Sequence, residues 1–250
     1  MTIELYNYDC LEKMRELSSN SIDLIICDLP YGCLSTGELC KWDIDIDLSQ
    51  FWEQIKRIRR SNHSPCIHFT TTKYGYTLIG SNPKEFRYDL VWDKGRGISF
   101  LSANKMPMRS HEMIYVFSNK GAYYNRLDIS GDFAKWENGG GDRTNQVYVK
   151  NCKRVNKSGG DGKRCALSVI NSVKQKASYQ MKGQHPTEKP VELYKFLIER
   201  YCSKDGVVLD PTFGSCNSGI ACRELGMSYI GIEMNKEFYD KAISKFAPPG

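Results

Sequence analysis

Apolar positions recur along the chain in two alternating rhythms. Short runs such as Glu4–Tyr8, Ile22–Cys27, Cys66–Thr70 and Tyr88–Trp92 are rich in β-branched and aromatic residues, the signature of strands. Between them, Cys10–Leu17 and Leu48–Ile58 space their apolar residues helically, the second through Leu48, Phe51, Trp52, Ile55 and Ile58. Strands alternating with helices predict a parallel sheet covered by helices. His111–Phe117 reads as a further central or near-edge strand, after which the pattern breaks until about Met181. It resumes with a helix over Val191–Tyr201, a strand at Val207–Leu209, a Gly/Ser-rich turn, a helix around Ser218–Leu225 and a strand at Tyr229–Ile232, a closing βαβ unit.

The break in pattern has its own composition. It holds Gly139–Gly141, Ser158–Gly160 and a cluster of Lys150, Lys153, Arg154, Lys157, Lys163, Arg164, Lys174, Lys176 and Lys182 that meets little acid besides Asp161. Most of the formal charge of +6 sits there. Such a stretch is either a solvated loop or a surface for a polyanion. At 250 residues, the chain suits one α/β domain over 1–250 carrying an insertion over 121–182. No apolar run approaches the roughly 20 residues that cross a bilayer, and Met1–Tyr6 reads as a strand rather than a secretory leader, so an intracellular location is expected. The ten cysteines are scattered through apolar runs with no Cys-x-x-Cys pair. They read as free thiols, and no metal site is expected.

Two constellations carry candidate chemistry. The first, Asp28–Leu29–Pro30–Tyr31–Gly32, follows the apolar strand directly, where an open α/β sheet presents its ligand crevice. Pro30 biases Leu29 toward extended geometry, so the residue 29 carbonyl can face the crevice beside the Asp28 carboxylate. Two acceptors holding both N–H groups of an aromatic amine would stabilise the positive charge that develops as the amine attacks. Tyr31 offers a face for base stacking, typically worth ~1–3 kcal/mol. A turn of this composition also occurs with no catalytic role, so a second element is needed.

That element is Val208–Gly219, a strand running into a glycine-rich turn and then a helix. Gly214 and Gly219 would let a ligand approach the backbone, and the helix N-terminus favours a carboxylate. The segment lacks both the dinucleotide fingerprint and the P-loop ending. One strand later, Gly231–Ile232–Glu233 places an acid where ribose hydroxyls are commonly bound.

Together these residues resemble the β-class amino methyltransferases of DNA, over nearly the whole chain apart from the basic insertion. In that family the strand-end motif is Asp-Pro-Pro-Tyr or Ser-Pro-Pro-Tyr. Asp28–Leu29–Pro30–Tyr31 is similar to the first, commoner in adenine enzymes, with Leu29 as a departure. Asp210–Pro211–Thr212–Phe213–Gly214–Ser215 is similar to the cofactor motif Asp-Pro-Phe-x-Gly-x-Gly, with Thr212 inserted and Cys216 and Asn217 where a Gly is usual. His185–Pro190 resembles the segment that helps hold the methionine part of the cofactor, and Asn7–Cys10 the segment near its adenine.

The resemblance implies a Rossmann-like S-adenosylmethionine-dependent methyltransferase fold, a mostly parallel seven-stranded sheet with helices on both faces, its motifs in circularly permuted order. It implies S-adenosyl-L-methionine held by Asp9, Cys10, His185, Lys189, Asp210, Phe213, Gly214, Ser215, Asn217, Gly219 and Glu233. The implied reaction is methylation of the N6 amine of adenine in double-stranded DNA, the base flipped out, with Asp28, Leu29, Pro30 and Tyr31 as catalytic residues and no metal. Trp42 would cover the base, and Lys153, Arg154, Lys163 and Arg164 of a target-recognition insertion would hold the DNA backbone. Pairing into a homodimer and a companion restriction endonuclease are further implications. N4-cytosine methylation, RNA methylation and a catalytically degenerate DNA-binding protein stay open. The motif order counts against protein glutamine methylation, and the missing fingerprint against a nicotinamide oxidoreductase.

Overall fold

The run Leu24–Cys27 is apolar without interruption because both of its faces are covered. The computed structural model describes residues 1–30, 46–98, 100–130, 163–175 and 188–246. Its strands are β1 (Ile3–Tyr6), β2 (Leu24–Cys27), β3 (Cys66–Thr70), β4 (Phe86–Ile98), β5 (Arg109–Phe117), β6 (Ile129–Ser130), β7 (Lys163–Arg164), β8 (Val169–Ile170), β9 (Val207–Asp210) and β10 (Ser228–Ile232). The helices are α1 (Cys10–Glu16), α2 (Leu48–Ile58), α3 (Thr72–Ser81), α4 (Val191–Tyr201), α5 (Asn217–Leu225) and α6 (Lys236–Phe246).

Along β2, Leu24 and Ile26 point into a core shared with Leu193 and Leu197 of α4 and Ala221 of α5. Ile25 and Cys27 point into a second core with Met14 of α1, Phe51 and Ile55 of α2, and Leu78 of α3. Alternation along one strand therefore serves two helical layers. The apolar stripe of α2 is buried as its spacing predicts, and Asp47 caps its start by accepting from Ser49 and Gln50 N–H groups at 2.9 and 3.1 Å. Among the described residues, no helix is long and apolar enough to cross a membrane.

One sheet runs in the order β1-β10-β9-β2-β3-β5-β4-β8. It has eight strands where seven were expected. The extra one is the two-residue β8, which lies parallel to β4 through Val91↔Val169. The sheet is mostly parallel, yet β5 is antiparallel to both β3 and β4. The expectation of parallel pairing fails there because the link between β4 and β5 is too short for a crossover, which takes a dozen or more residues.

This topology sets the functional edge. β1, β10, β9, β2 and β3 are parallel, so their C-terminal ends line up. β4 runs the same way, and β5, running oppositely, brings its N-terminal half to that edge through Thr70↔Met113 and Trp92↔Glu112.

The chain divides into two units, residues 1–125 with 168–250, and residues 126–167. In the second, Ile129–Ser130 pairs antiparallel with Lys163–Arg164, and Arg126 and Asp128 form an ion pair at 2.9 Å. The flanks of the expected insertion belong to the first unit: Asn125 N–H donates to Arg200 O at 2.7 Å, and Trp92 Nε1 donates to Val173 O at 2.8 Å.

Candidate active site

Each parallel strand ends in a polar residue at the same edge. Asp28 follows β2, Asp210 ends β9, Glu233 follows β10, and Asn7–Asp9 follow β1. Between β2 and β9, Thr212 Oγ1 donates to the Asp28 carbonyl at 3.2 Å, fixing the backbone beside the candidate catalytic acid. Leu29 is 2% exposed and packs into the second core, so the residue after Asp28 is anchored by its side chain.

The turn after β9 is built around the Asp210 carboxylate. It accepts from Thr212 N–H at 3.1 Å and from Ser218 Oγ at 2.6 Å, and Ser218 Oγ also lies 2.8 Å from Tyr229 OH. Burial pushes the Asp210 carboxyl up to about 7, the two donors pull it back, and the charges of Asp28 and Glu233 add to the rise. Asp210, expected on the cofactor, therefore faces inward and shapes the turn. Phe213 is likewise buried in the first core.

Gly214 lies at φ +51°, and its N–H donates to Glu233 Oε2 at 2.9 Å, while Asn235 N–H donates to Oε1 at 2.7 Å. Burial raises the Glu233 pKa, and these backbone donors oppose the rise. Asn217, the first residue of α5, donates from Nδ2 to Glu188 Oε1 at 2.5 Å and to the Lys189 carbonyl at 2.8 Å. Asn217 thereby ties the segment before α4 to the glycine turn. Gly219 has a packing reason: a Cβ there would come within 2.8 Å of Cys216 Sγ and 2.9 Å of Tyr229 Cε1. Its role in the fold is to let α5 settle onto β10, whereas the sequence suggested room for a ligand. Asp9 caps α1 by accepting from Glu12 N–H at 3.0 Å, and Cys10 behind it is buried. Ser215 accepts Lys245 Nζ at its carbonyl, 2.6 Å away.

Lys189, expected beside the methionine part of the cofactor, has its ammonium on Asp28 Oδ2. The same ammonium lies 3.6 Å from Glu112 Oε2, and Glu112 Oε1 accepts from Lys94 Nζ at 2.8 Å. Two carboxylates and two ammonium groups thus alternate across β2, the segment before α4, β5 and β4. Burial alone would lower the Lys189 pKa, but Asp28 and Glu112 outweigh it and the net shift is upward. For Glu112, burial opposes ionisation, and Lys189 and Lys94 overcome it to lower the pKa.

Lys94 and Glu112 are the site residues that sequence reasoning missed. The signal was present: each is a charge at the edge end of an apolar strand, after Val91–Trp92 and before Met113–Phe117. Tyr31, Trp42, Lys153, Arg154 and His185 lie outside the described residues. Lys163 and Arg164 form β7.

Behind β2, Cys27 Sγ lies 3.2 Å from His68 Nδ1 and Cys66 Sγ 3.3 Å from His68 Nε2. Phe51, Trp52 and Phe117 meet the imidazole edge-on. Each ring nitrogen has its own sulfur partner, which makes a fully buried imidazole tolerable. One ligand atom from each of Cys27, Cys66 and His68 lies within 4.8 Å of the others, and their mutual contacts inside an aromatic surround account for the cluster as packing.

Comparison with known proteins covers nearly the whole chain, these strand ends and the glycine turn included. The sequence profile described as DNA methylase (N6_N4_Mtase) matches residues 22–245. The chain belongs to the DNA methylase family. Type II methyltransferase M.HinfI of Haemophilus influenzae is 24% identical over 257 residues, covering 94% of this chain and 65% of that protein. This methylase therefore spans just under two thirds of that relative's length. Type II methyltransferase M.HindIII, also of Haemophilus influenzae, is 23% identical over 294 residues, covering 96% of this chain and 94% of that protein. Among solved structures, PvuII DNA methyltransferase (cytosine-N4-specific) superposes with a TM-score of 0.67 at 16% identity, covering 100% of this chain and 88% of that one. The M1.HpyAVI–SAM complex gives 0.61 at 17%, covering 98% and 100%. By family, the chain is a DNA amino methyltransferase, and adenine N6 and cytosine N4 both fall within the family's range.

Proposed function

We propose that this methylase transfers a methyl group from S-adenosyl-L-methionine to the N6 amine of an adenine extruded from duplex DNA. The observation that carries the reading is the Asp28 carboxylate at the end of β2, its backbone held by Thr212 of the adjoining turn. Asp28 accepts one amine hydrogen and the Leu29 carbonyl the other, so positive charge developing on nitrogen meets fixed acceptors. Tyr31 stacks on the base. An Asp in this position, as in the adenine enzymes the motif resembles, favours adenine over cytosine.

The residues fit the cofactor. Glu233, with its carboxylate at the end of β10 and an upward-shifted pKa, suits ribose hydroxyl donors. Glu188 Oε2 is buried and has no hydrogen-bond partner among the described residues, which a ligand ammonium would supply. When bound, S-adenosylmethionine supplies an electrophilic sulfonium methyl. Gly214, Ser215 and Asn217 form its cradle, and Asp9, Cys10, His185 and Lys189 border it. Asp210, Phe213 and Gly219 shape the turn that presents it.

Residues 121–182 serve as the target-recognition region, with Lys153, Arg154, Lys163 and Arg164 on DNA phosphates and Trp42 over the base. The Type II names of the relatives support a companion restriction endonuclease, and a second copy of the chain is a candidate partner.

The test is transfer of labelled methyl to unmethylated duplex DNA, with nucleoside analysis and mapping of the methylated site. N6-methyladenine is expected; N4-methylcytosine would keep the amine chemistry and reassign the base; no label in any DNA would overturn the proposal. Asp28→Ala should abolish transfer while retaining cofactor binding, and Glu233→Ala should chiefly weaken that binding.

A further inference from the structure

The β4–β5 hairpin continues past the charged chain at its base. Beyond Trp92↔Glu112 and Asp93↔His111 the register shifts, and Ile98↔Arg109 pairs again further out. On β5, Arg109 lies three residues beyond Glu112, so at ~3.3 Å per residue the hairpin extends roughly 10 Å past the Lys94–Glu112 pair, the extra residues of β4 being taken up in the register shift. Its tip is hydrogen-bonded within itself, Ala103 N–H to Phe100 O at 2.9 Å and Met106 N–H to Ser102 O at 3.0 Å. Met108 lies over Gly97, where a Cβ would come within 2.9 Å of the Met108 Cβ.

This ordered tip holds out apolar side chains. Phe100 is 79% and Leu101 98% exposed, with Met106 and Met108 exposed beside them. Single exposed apolar residues are ordinary, but adjacent ones on a braced hairpin form a patch that calls for a partner. Between Asp93 and Glu112 the chain has no carboxylate, and beyond the buried Lys94, which is paired with Glu112, it carries three cations, Arg96, Lys105 and Arg109. Charge complementarity therefore selects a polyanion. Two such tips facing each other in a symmetric pair of chains would repel.

We propose that Phe100 and Leu101 enter the DNA base stack as a wedge and occupy the space vacated by the target base, while Arg96, Lys105 and Arg109 hold the flanking phosphates. Apolar side chains inserted between base steps compensate unstacking in this way, and here the wedge rises from the strands whose Lys94–Glu112 pair adjoins Lys189 and Asp28. The inference rests on the proposed transfer to an extruded base.

The test compares wild type with F100S/L101S, two exposed positions whose replacement leaves the core untouched. Single-turnover methyl transfer is measured on a duplex carrying the mapped site and on the same duplex with an abasic position opposite the target base. The wedge predicts transfer roughly tenfold or more slower on the intact duplex and near wild-type on the abasic one, where extrusion costs little. Equal rates on the intact duplex would overturn it. An equal slowing on both duplexes, accompanied by loss of a dimer in sedimentation, would overturn it in favour of a chain-to-chain contact. A wild-type chain inactive on both duplexes would overturn the methyl-transfer reading and the wedge with it.

Discussion

Glu112→Gln tests whether the charges behind Asp28 act as one unit. Glu112 stands between two ammonium groups, Lys94 at 2.8 Å and Lys189 at 3.6 Å, and its side chain is 17% exposed where theirs are 6% and 4%. Gln keeps the shape and one acceptor but removes the charge. Two buried ammonium groups are then left facing the single carboxylate of Asp28. Removing one partner of a buried ion pair costs about 3–5 kcal/mol, and the acceptor that Gln retains for Lys94 puts the expectation near the lower bound, about 3 kcal/mol. At roughly 2–4 °C per kcal/mol for a chain of this size, Tm at pH 7 should fall by around 10 °C in calorimetry.

The pH dependence sharpens the test. Lys189 and Lys94 hold the Glu112 carboxyl below its ordinary range, against the opposing effect of burial. A folded pKa below the unfolded value, ~4.3, gives stabilisation that is complete above that value and lost as pH falls through the folded one. The gap between wild type and Glu112→Gln should therefore be full at pH 7 and close as pH falls below the unfolded value of ~4.3 and through the lower folded one. A gap under about 1 kcal/mol at pH 7, or one that persists undiminished in acid, would refute the reasoning.

Two further outcomes follow from the glycine turn. The Asp210 carboxyl is raised to about 7 by burial, so its contribution to stability is full below the unfolded value of ~3.9 and lost as pH rises toward 7. Asp210→Asn, neutral throughout, should gain Tm relative to wild type between pH 5 and pH 8 without added cofactor; a falling difference would contradict the assignment. Gly219→Ala brings a Cβ within 2.8 Å of Cys216 Sγ and 3.1 Å of Phe246 Cζ. Overpacking costs about 1–3 kcal/mol against a helix-propensity gain of about 1 kcal/mol, so chemical denaturation should show net destabilisation.

What the sequence disclosed depended on how local its signal was. The helix over Leu48–Ile58 was readable to its ends because its apolar stripe lies within the segment itself. Asp28, Asp210 and Glu233 were readable because each ends an apolar strand, and parallel strands bring such ends to one edge. Whether a strand is parallel is a different matter, being a property of its neighbours. The direction of β5, and with it the meeting of Glu112 with Lys189, followed from a hairpin whose two strands are individually indistinguishable from crossover-linked ones. Gly219 shows the same limit at one residue. A glycine beside a ligand and a glycine beside Tyr229 read identically until β10 is in place.

Leu29 is the point where the motif departs from the Asp-Pro-Pro-Tyr pattern it resembles, and the structure changes how that departure weighs. A Pro at this position would stiffen the chain, an effect worth about 0.4–1 kcal/mol that acts largely through the unfolded state. Leu forgoes that but buries its side chain at 2% exposure in the core behind β2. Full burial of a Leu is worth about 1.5–3 kcal/mol, an upper estimate that still exceeds what is lost. The exchange replaces a restriction on backbone rotation with an anchor in the core, one residue after Asp28. Thr212 then fixes the preceding carbonyl from β9's turn. Asp28 is held from both sides, by the packing of Leu29 below and by a hydroxyl on its own carbonyl across the sheet, so the substitution is compatible with a positioned Asp28.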